Sequence, residues 1–154
     1  MIVGHGFLER QLLGPATSTG QPESALVKLR RYRCRACRAI LVVGPRGLVA
    51  RRWYGGSAIA LAIAASSRGE TSATVRARVS PLRIVGGSAT ERWRTLERWI
   101  EAARRGELFA VAGLGDFDRR RVAEHVTDAL AARAGWNLGD DLLDKAFDGA
   151  AIAA

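Results

Sequence analysis

The residue types best suited to chemistry lie together in "RRYRCRACRAILVVGPRG", residues 31 to 48. Cys34 and Cys37 are the only two cysteines of the chain, two residues apart and embedded in arginine. Cys-x-x-Cys is the spacing with which a tight turn offers two thiolates to one edge of a tetrahedral zinc ion. Tetrahedral zinc needs two further ligands, and His5 is the one upstream candidate. Zinc held here would therefore be completed by His5 with water, or by a second chain. The same spacing serves a redox couple when the pair ends a strand and enters a helix. Here it is followed by β-prone "ILVV", which argues against that use. Two packing cysteines without chemistry are the third reading.

These groups must be positioned by a small scaffold. The chain has 154 residues, 48% of them apolar, enough for a packed core in one ordinary domain or two very small ones. Lys and Arg outnumber Asp and Glu by 24 to 15, and the excess is uneven. Residues 1 to 65 carry ten cations against two anions, whereas residues 111 to 154 carry five against eight. A basic body with an acidic tail suggests a polyanionic partner, duplex DNA before membrane. The dominance of Arg, Ala and Gly also fits a GC-rich genome. Met1 is followed by "IVGHG" rather than by a secretory leader, so the expected location is the cytoplasm, associated with the nucleoid. The most apolar window, "SAIALAIAAS", is about half the length of a membrane span and reads as a buried helix.

The expected fold class is α+β, in three parts. Residues 1 to 54 form a small strand-rich, ribbon-like segment of two or three strands, clearest at "ALVKLRRY" and "AILVVG", with "GPATSTGQPES" as a loop. Residues 55 to 110 form a mainly helical domain, and residues 111 to 154 a helical extension. Within the helical domain, Ser57 is expected to cap a helix to about Ser67, and Thr71 or Ser72 a second to about Val79. Ser88 with Glu91 makes a capping box for a third, whose apolar positions are Trp93, Leu96, Trp99, Ile100 and Ala103. Trp93 and Trp99 fall about 120° apart around that helix, so at least one belongs to the core. Asp116 and Asp118 precede a fourth helix ending near Gly135.

The blocks "RRYRCRAC", "AILVVGPRGLVARRWY", "SAIALAIA", "VRARVSP" and "ERWRTLERWI", in this order across residues 4 to 109, resemble bacterial insertion-element and transposase-associated proteins. Those proteins begin with a zinc ribbon and continue into a helix-turn-helix. The resemblance implies DNA binding in the service of a mobile element, with a transposase or a second copy as protein partner. The first cysteine pair of the ribbon is absent here. That fits either a start inside a longer reading frame or a copy that has lost the site.

Two short helices joined at Gly69 have the form of a helix-turn-helix, the second entering the major groove. Its candidate contacts are Ser72, Thr74, Arg76 and Arg78, with Arg46, Arg51 and Arg52 of the linker following the phosphate backbone. Trp53 and Tyr54 would anchor that linker on the helices, Trp53 in particular. No nucleophile motif, phosphate loop or metalloprotease signature is present, and Asp116, Asp118, Asp140 and Asp141 read as caps and acidic surface. Catalysis by this chain alone is not expected. The alternatives are a helical protein-interaction module and a non-functional remnant of a mobile element.

Overall fold

The computed structural model describes residues 1–87, 92–135 and 141–153. It is mixed α and β. β1 (Ile2–Pro15) and β2 (Pro22–Cys34) form a long antiparallel hairpin, and β3 (Ile40–Val43) adds to the outer edge of β2. The register runs from Ile2 opposite Cys34 to Pro15 opposite Pro22 and slips by one residue between Gly4 and Phe7. His5 and Gly6 occupy that bulge, and Gly6 has φ +80°, the left-handed conformation a bulge of this kind requires.

The hairpin spans about 45 Å by the usual strand rise, and it is packed only from the Leu8–Leu29 pair to the Pro15/Pro22 end. Leu13 and Leu29 are buried, whereas Ile2, Phe7, Leu8, Leu26 and all of β3 are exposed. Leu13 docks the hairpin through its backbone. Its N–H donates to the Trp53 carbonyl (2.7 Å), and its own carbonyl accepts from Gly55 N–H (3.2 Å). Arg10 donates from a guanidinium nitrogen to the Val49 carbonyl at 2.8 Å.

Five helices follow among the described residues: α1 (Gly56–Ser67), α2 (Ser72–Val79), α3 (Arg94–Arg104), α4 (Arg119–Arg133) and α5 (Leu142–Ala153). α1 is apolar on every side, and Ala58 through Ala65 are all buried, as a helix without a polar face must be. The other helices pack around it. Gly149 lets α5 lie on α4 so closely that a Cβ at that position would run into the Leu130 carbonyl. No helix of the described residues is long and apolar enough to cross a membrane.

The helix starts combine side-chain and backbone devices. Thr71 caps α2 by accepting from Thr74 N–H (3.2 Å), and Asp118 caps α4 by accepting from Arg121 N–H (2.9 Å). Asp141 accepts from Leu143 N–H at 2.9 Å, as a residue at the head of α5. The expected Ser57 cap is not formed: Gly55 occupies the cap position of α1 and contributes no side chain. The Ser88/Glu91 box and Asp140 lie outside the described residues.

Tyr54, Trp93 and Trp99 form an edge-to-face cluster, with ring centroids 5.0 to 6.1 Å apart. Both tryptophans are buried, so the core takes both. The linker is held by Tyr54, not by Trp53, which is 65% exposed. Tyr54 Oη donates to Ser80 Oγ at 2.8 Å, tying the end of α2 to the same cluster.

Candidate nucleic-acid interface

The arginines of α2 are turned to structural use. Arg76 is buried, with its guanidinium over the Trp93 ring at 5.8 Å. Arg78 pairs with Glu70 at 2.9 Å, both half-buried. Ser72 is half-buried and Thr74 Oγ1 lies 2.9 Å from Thr71 Oγ1. Arg76 and Arg78, expected as groove contacts, are thus both engaged within the fold. α2 is brief, and its Val75, Arg76 and Val79 all face the core.

The three linker arginines are not brought to one surface. Arg46 borders a depression with Pro15, Phe147 and Asp148, and Arg51 sits beside Glu9, Arg10 and Trp53. Arg52 alone joins a larger basic group. With Arg94, Arg98, Arg105 and Arg119 it lines one shallow depression between the linker, α3 and the head of α4, together with Glu97 and Glu101.

Elementary helix geometry assembles this group. Arg94, Arg98, Glu101 and Arg105 recur at intervals of four, three and four along α3 and its C-cap, which is one stripe of a helix. The opposite stripe, Leu96, Trp99, Ile100 and Ala103, is buried. Burying the aromatic stripe therefore turns the arginine stripe outward. Asp118 starts α4 at the place that sets Arg119 beside Glu97, at 3.2 Å.

Two carboxylates temper the charge. Arg92 hydrogen-bonds Glu97 and is the main cause holding that carboxyl below its ordinary value, with Arg119 and Arg94 adding to it. Arg104, 2.8 Å from Glu101, holds Glu101 down in the same way. Both stay ionised at neutral pH, and each is bonded to an arginine. Arg105 pairs with Glu107 at 3.0 Å. Among the described residues Arg52, Arg94 and Arg98 have no carboxylate within ion-pair distance. The depression thus offers three guanidiniums to an outside anion, and two more that are paired, Arg105 with the exposed Glu107 and Arg119 with the half-buried Glu97.

From the sequence alone, Arg94, Arg98 and Arg105 read as the solvated side of an amphipathic helix and nothing more. Their common stripe, joined to the basic run Arg119–Arg121 ahead in the chain, was the available signal. What sequence could not supply is that α4 and the linker pack on that side of α3.

The cysteines occupy the opposite end of the molecule, in the turn between β2 and β3. The Cys37 N–H, the Cys37 side chain and the Ala36 N–H all hold the Cys34 thiol below its ordinary value. His5 does not join the pair. It lies in the β1 bulge beyond Gly4, whose ladder partner is Tyr32, and among the described residues no group of three His, Cys, Asp or Glu side chains could hold a metal ion. A complete zinc ribbon requires four ligands, so the two thiols fit half of a zinc site. His125 is far from both: it is exposed on α4, its ring 4.5 Å from Phe117.

Compared with protein-family models, with curated proteins and with solved structures, the chain matches none.

Proposed function

We propose that this chain binds duplex DNA, without catalysis of its own, through the arginine surface where the linker, α3 and the head of α4 meet. The observation that carries this reading is the convergence of Arg52, Arg94, Arg98, Arg105 and Arg119 on one open depression. Guanidiniums on a rigid helix stripe suit phosphate oxygens, since each can donate two parallel hydrogen bonds to one anion. In this reading α3 is the helix presented to the nucleic acid, and α2 supports it from behind through Arg76, Ser80 and the Trp93 ring. The service to a mobile element, and a transposase as companion, rest on the resemblance of the sequence blocks alone.

The test is fluorescence anisotropy with a mixed-sequence duplex at two salt concentrations. DNA held by arginine–phosphate contacts loses affinity steeply as salt rises. A chain that fails to bind at low salt is not a DNA-binding protein of this kind.

A second reading is favoured by a different observation. Phe7, Leu8, Leu26 and Ile40 to Val43 leave apolar side chains exposed along the hairpin, as a protein-interaction module would. Association of that kind does not weaken with added salt, so the same titration separates the two.

A further inference from the structure

The turn from Cys34 to Ala39 is a built structure at the far end of the hairpin. Cys34 N–H donates to the Ala39 carbonyl (2.9 Å), Arg38 N–H to the Cys34 carbonyl (3.0 Å), and Arg35 N–H to the Met1 carbonyl (3.0 Å). Arg38 has φ +60°, which turns the chain back immediately after the second cysteine. The two cysteines stand at the start of this turn and just before its reversal at Arg38. Cys37 is exposed and Cys34 half-exposed, so both sulfurs are reachable from outside.

Two thiols at this spacing span one edge of a tetrahedron, and zinc bound by thiolates closes its shell with four ligands. This chain offers no third ligand among the described residues. The missing edge has the same chemistry as the one present, and a second copy of the turn would supply it. Charge points the same way. Zinc with four thiolates is a dianion, and Arg33, Arg35 and Arg38 of each turn are exposed beside it with no carboxylate within ion-pair distance among the described residues. Without the metal, the same arginines would drive two turns apart. Ile2, the ladder partner of Cys34, and Ile40, the partner of Arg33, are 56% and 47% exposed, leaving apolar surface next to the sulfurs for the two tips to cover.

We propose that two copies of the chain join tip to tip around one zinc ion, each supplying Cys34 and Cys37. The four thiols give up four protons to solvent as the metal binds, with no change in oxidation state. Zinc affinity then depends on protein concentration, because the complete site exists only in the pair. The helical bodies, at the other end of each hairpin, remain free to act as two separate units.

The experiment is light-scattering mass and metal analysis of the full chain, kept reduced by a phosphine, with zinc added and then removed by EDTA. A doubling of mass with one zinc per two chains, reversed by EDTA, is expected. Cobalt in place of zinc should give the intense ligand-field bands of a tetrahedral thiolate site. Cys34→Ser and Cys37→Ser should each remain monomeric with zinc present, while melting as the metal-free wild type does. Should one variant fail to fold, the other carries the test. One zinc per monomer, no zinc retained, or a dimer that survives EDTA and both substitutions would each overturn the proposal. DNA binding by the metal-free monomer is measured separately, so the two proposals stand or fall apart.

Discussion

The triple substitution Arg52→Ala, Arg94→Ala, Arg98→Ala removes the guanidiniums of the depression that lack an ion-pair partner among the described residues. Arg105 and Arg119 are left in place because Glu107 and Glu97 already hold them, at 3.0 and 3.2 Å. If the three bind three phosphates, each accounts for about 0.9 of the slope of log affinity against log salt, so the variant's slope falls by about 2.7. Over about a fourfold rise in salt the wild type then loses about 40-fold more affinity than the variant does. The assay is anisotropy with one labelled duplex over a series of salt concentrations. Arg94 and Arg98 are exposed and Arg52 half-buried, so a thermal melt of the variant should stay close to wild type. The matching control is Arg33→Ala, Arg35→Ala, Arg38→Ala on metal-free protein, which makes the same change of net charge on the distant hairpin. An unchanged slope in the α3 variant would refute the assignment of this surface, and a slope lowered only in the hairpin control would move the nucleic acid to the sheet.

Other outcomes follow from the packing. Trp99→Ala removes a side chain 2% exposed at the centre of the aromatic cluster and should cost about 3–5 kcal/mol, read by denaturant unfolding. Ala110 holds φ +44°, next to Phe109 at +63°, so Ala110→Gly should raise stability by about 1 kcal/mol. Arg133→Ala should lower stability, because Arg133 donates to the carbonyls of both residues, at 2.7 and 3.4 Å. The Glu97 carboxyl lies below its ordinary 4.5 when folded, chiefly through its bond to Arg92. Its contribution is therefore present above that value and lost as pH falls through the lower folded value. Melting temperature followed into acid should drop less steeply in Glu97→Gln than in wild type.

The helical half was legible because its signals are local. "SAIALAIAAS" has no polar side, so it could only be a buried helix, and the spacing of Leu96, Trp99, Ile100 and Ala103 marked the core side of α3. Thr71 and Asp118 were readable as caps for the same reason. The hairpin was less legible. "IVGHGFLERQLLGP" does not alternate, because most of β1 has water on both faces and the bulge at His5–Gly6 shifts its phase. The candidate surface was missed where tertiary packing decides. Nothing in "SATVRARV" tells that Arg76 will lie over Trp93, seventeen residues on, rather than face outward. Nor does "RRWY" tell that the tyrosine goes in and the tryptophan stays out, a choice made by Ser80 and the two tryptophan rings.

The hairpin divides the molecule into parts that do not melt as one. Beyond Leu29 its ladder carries no buried side chain, so opening the pairs from Ile2–Cys34 to Phe7–Arg30 exposes almost no new apolar surface. Local opening there is uncoupled from global unfolding. Its amides should exchange with deuterium long before those of α1, which wait for the whole helical body to come apart. In the cell, a protease would meet the same division, finding a cleavable arm on a resistant body.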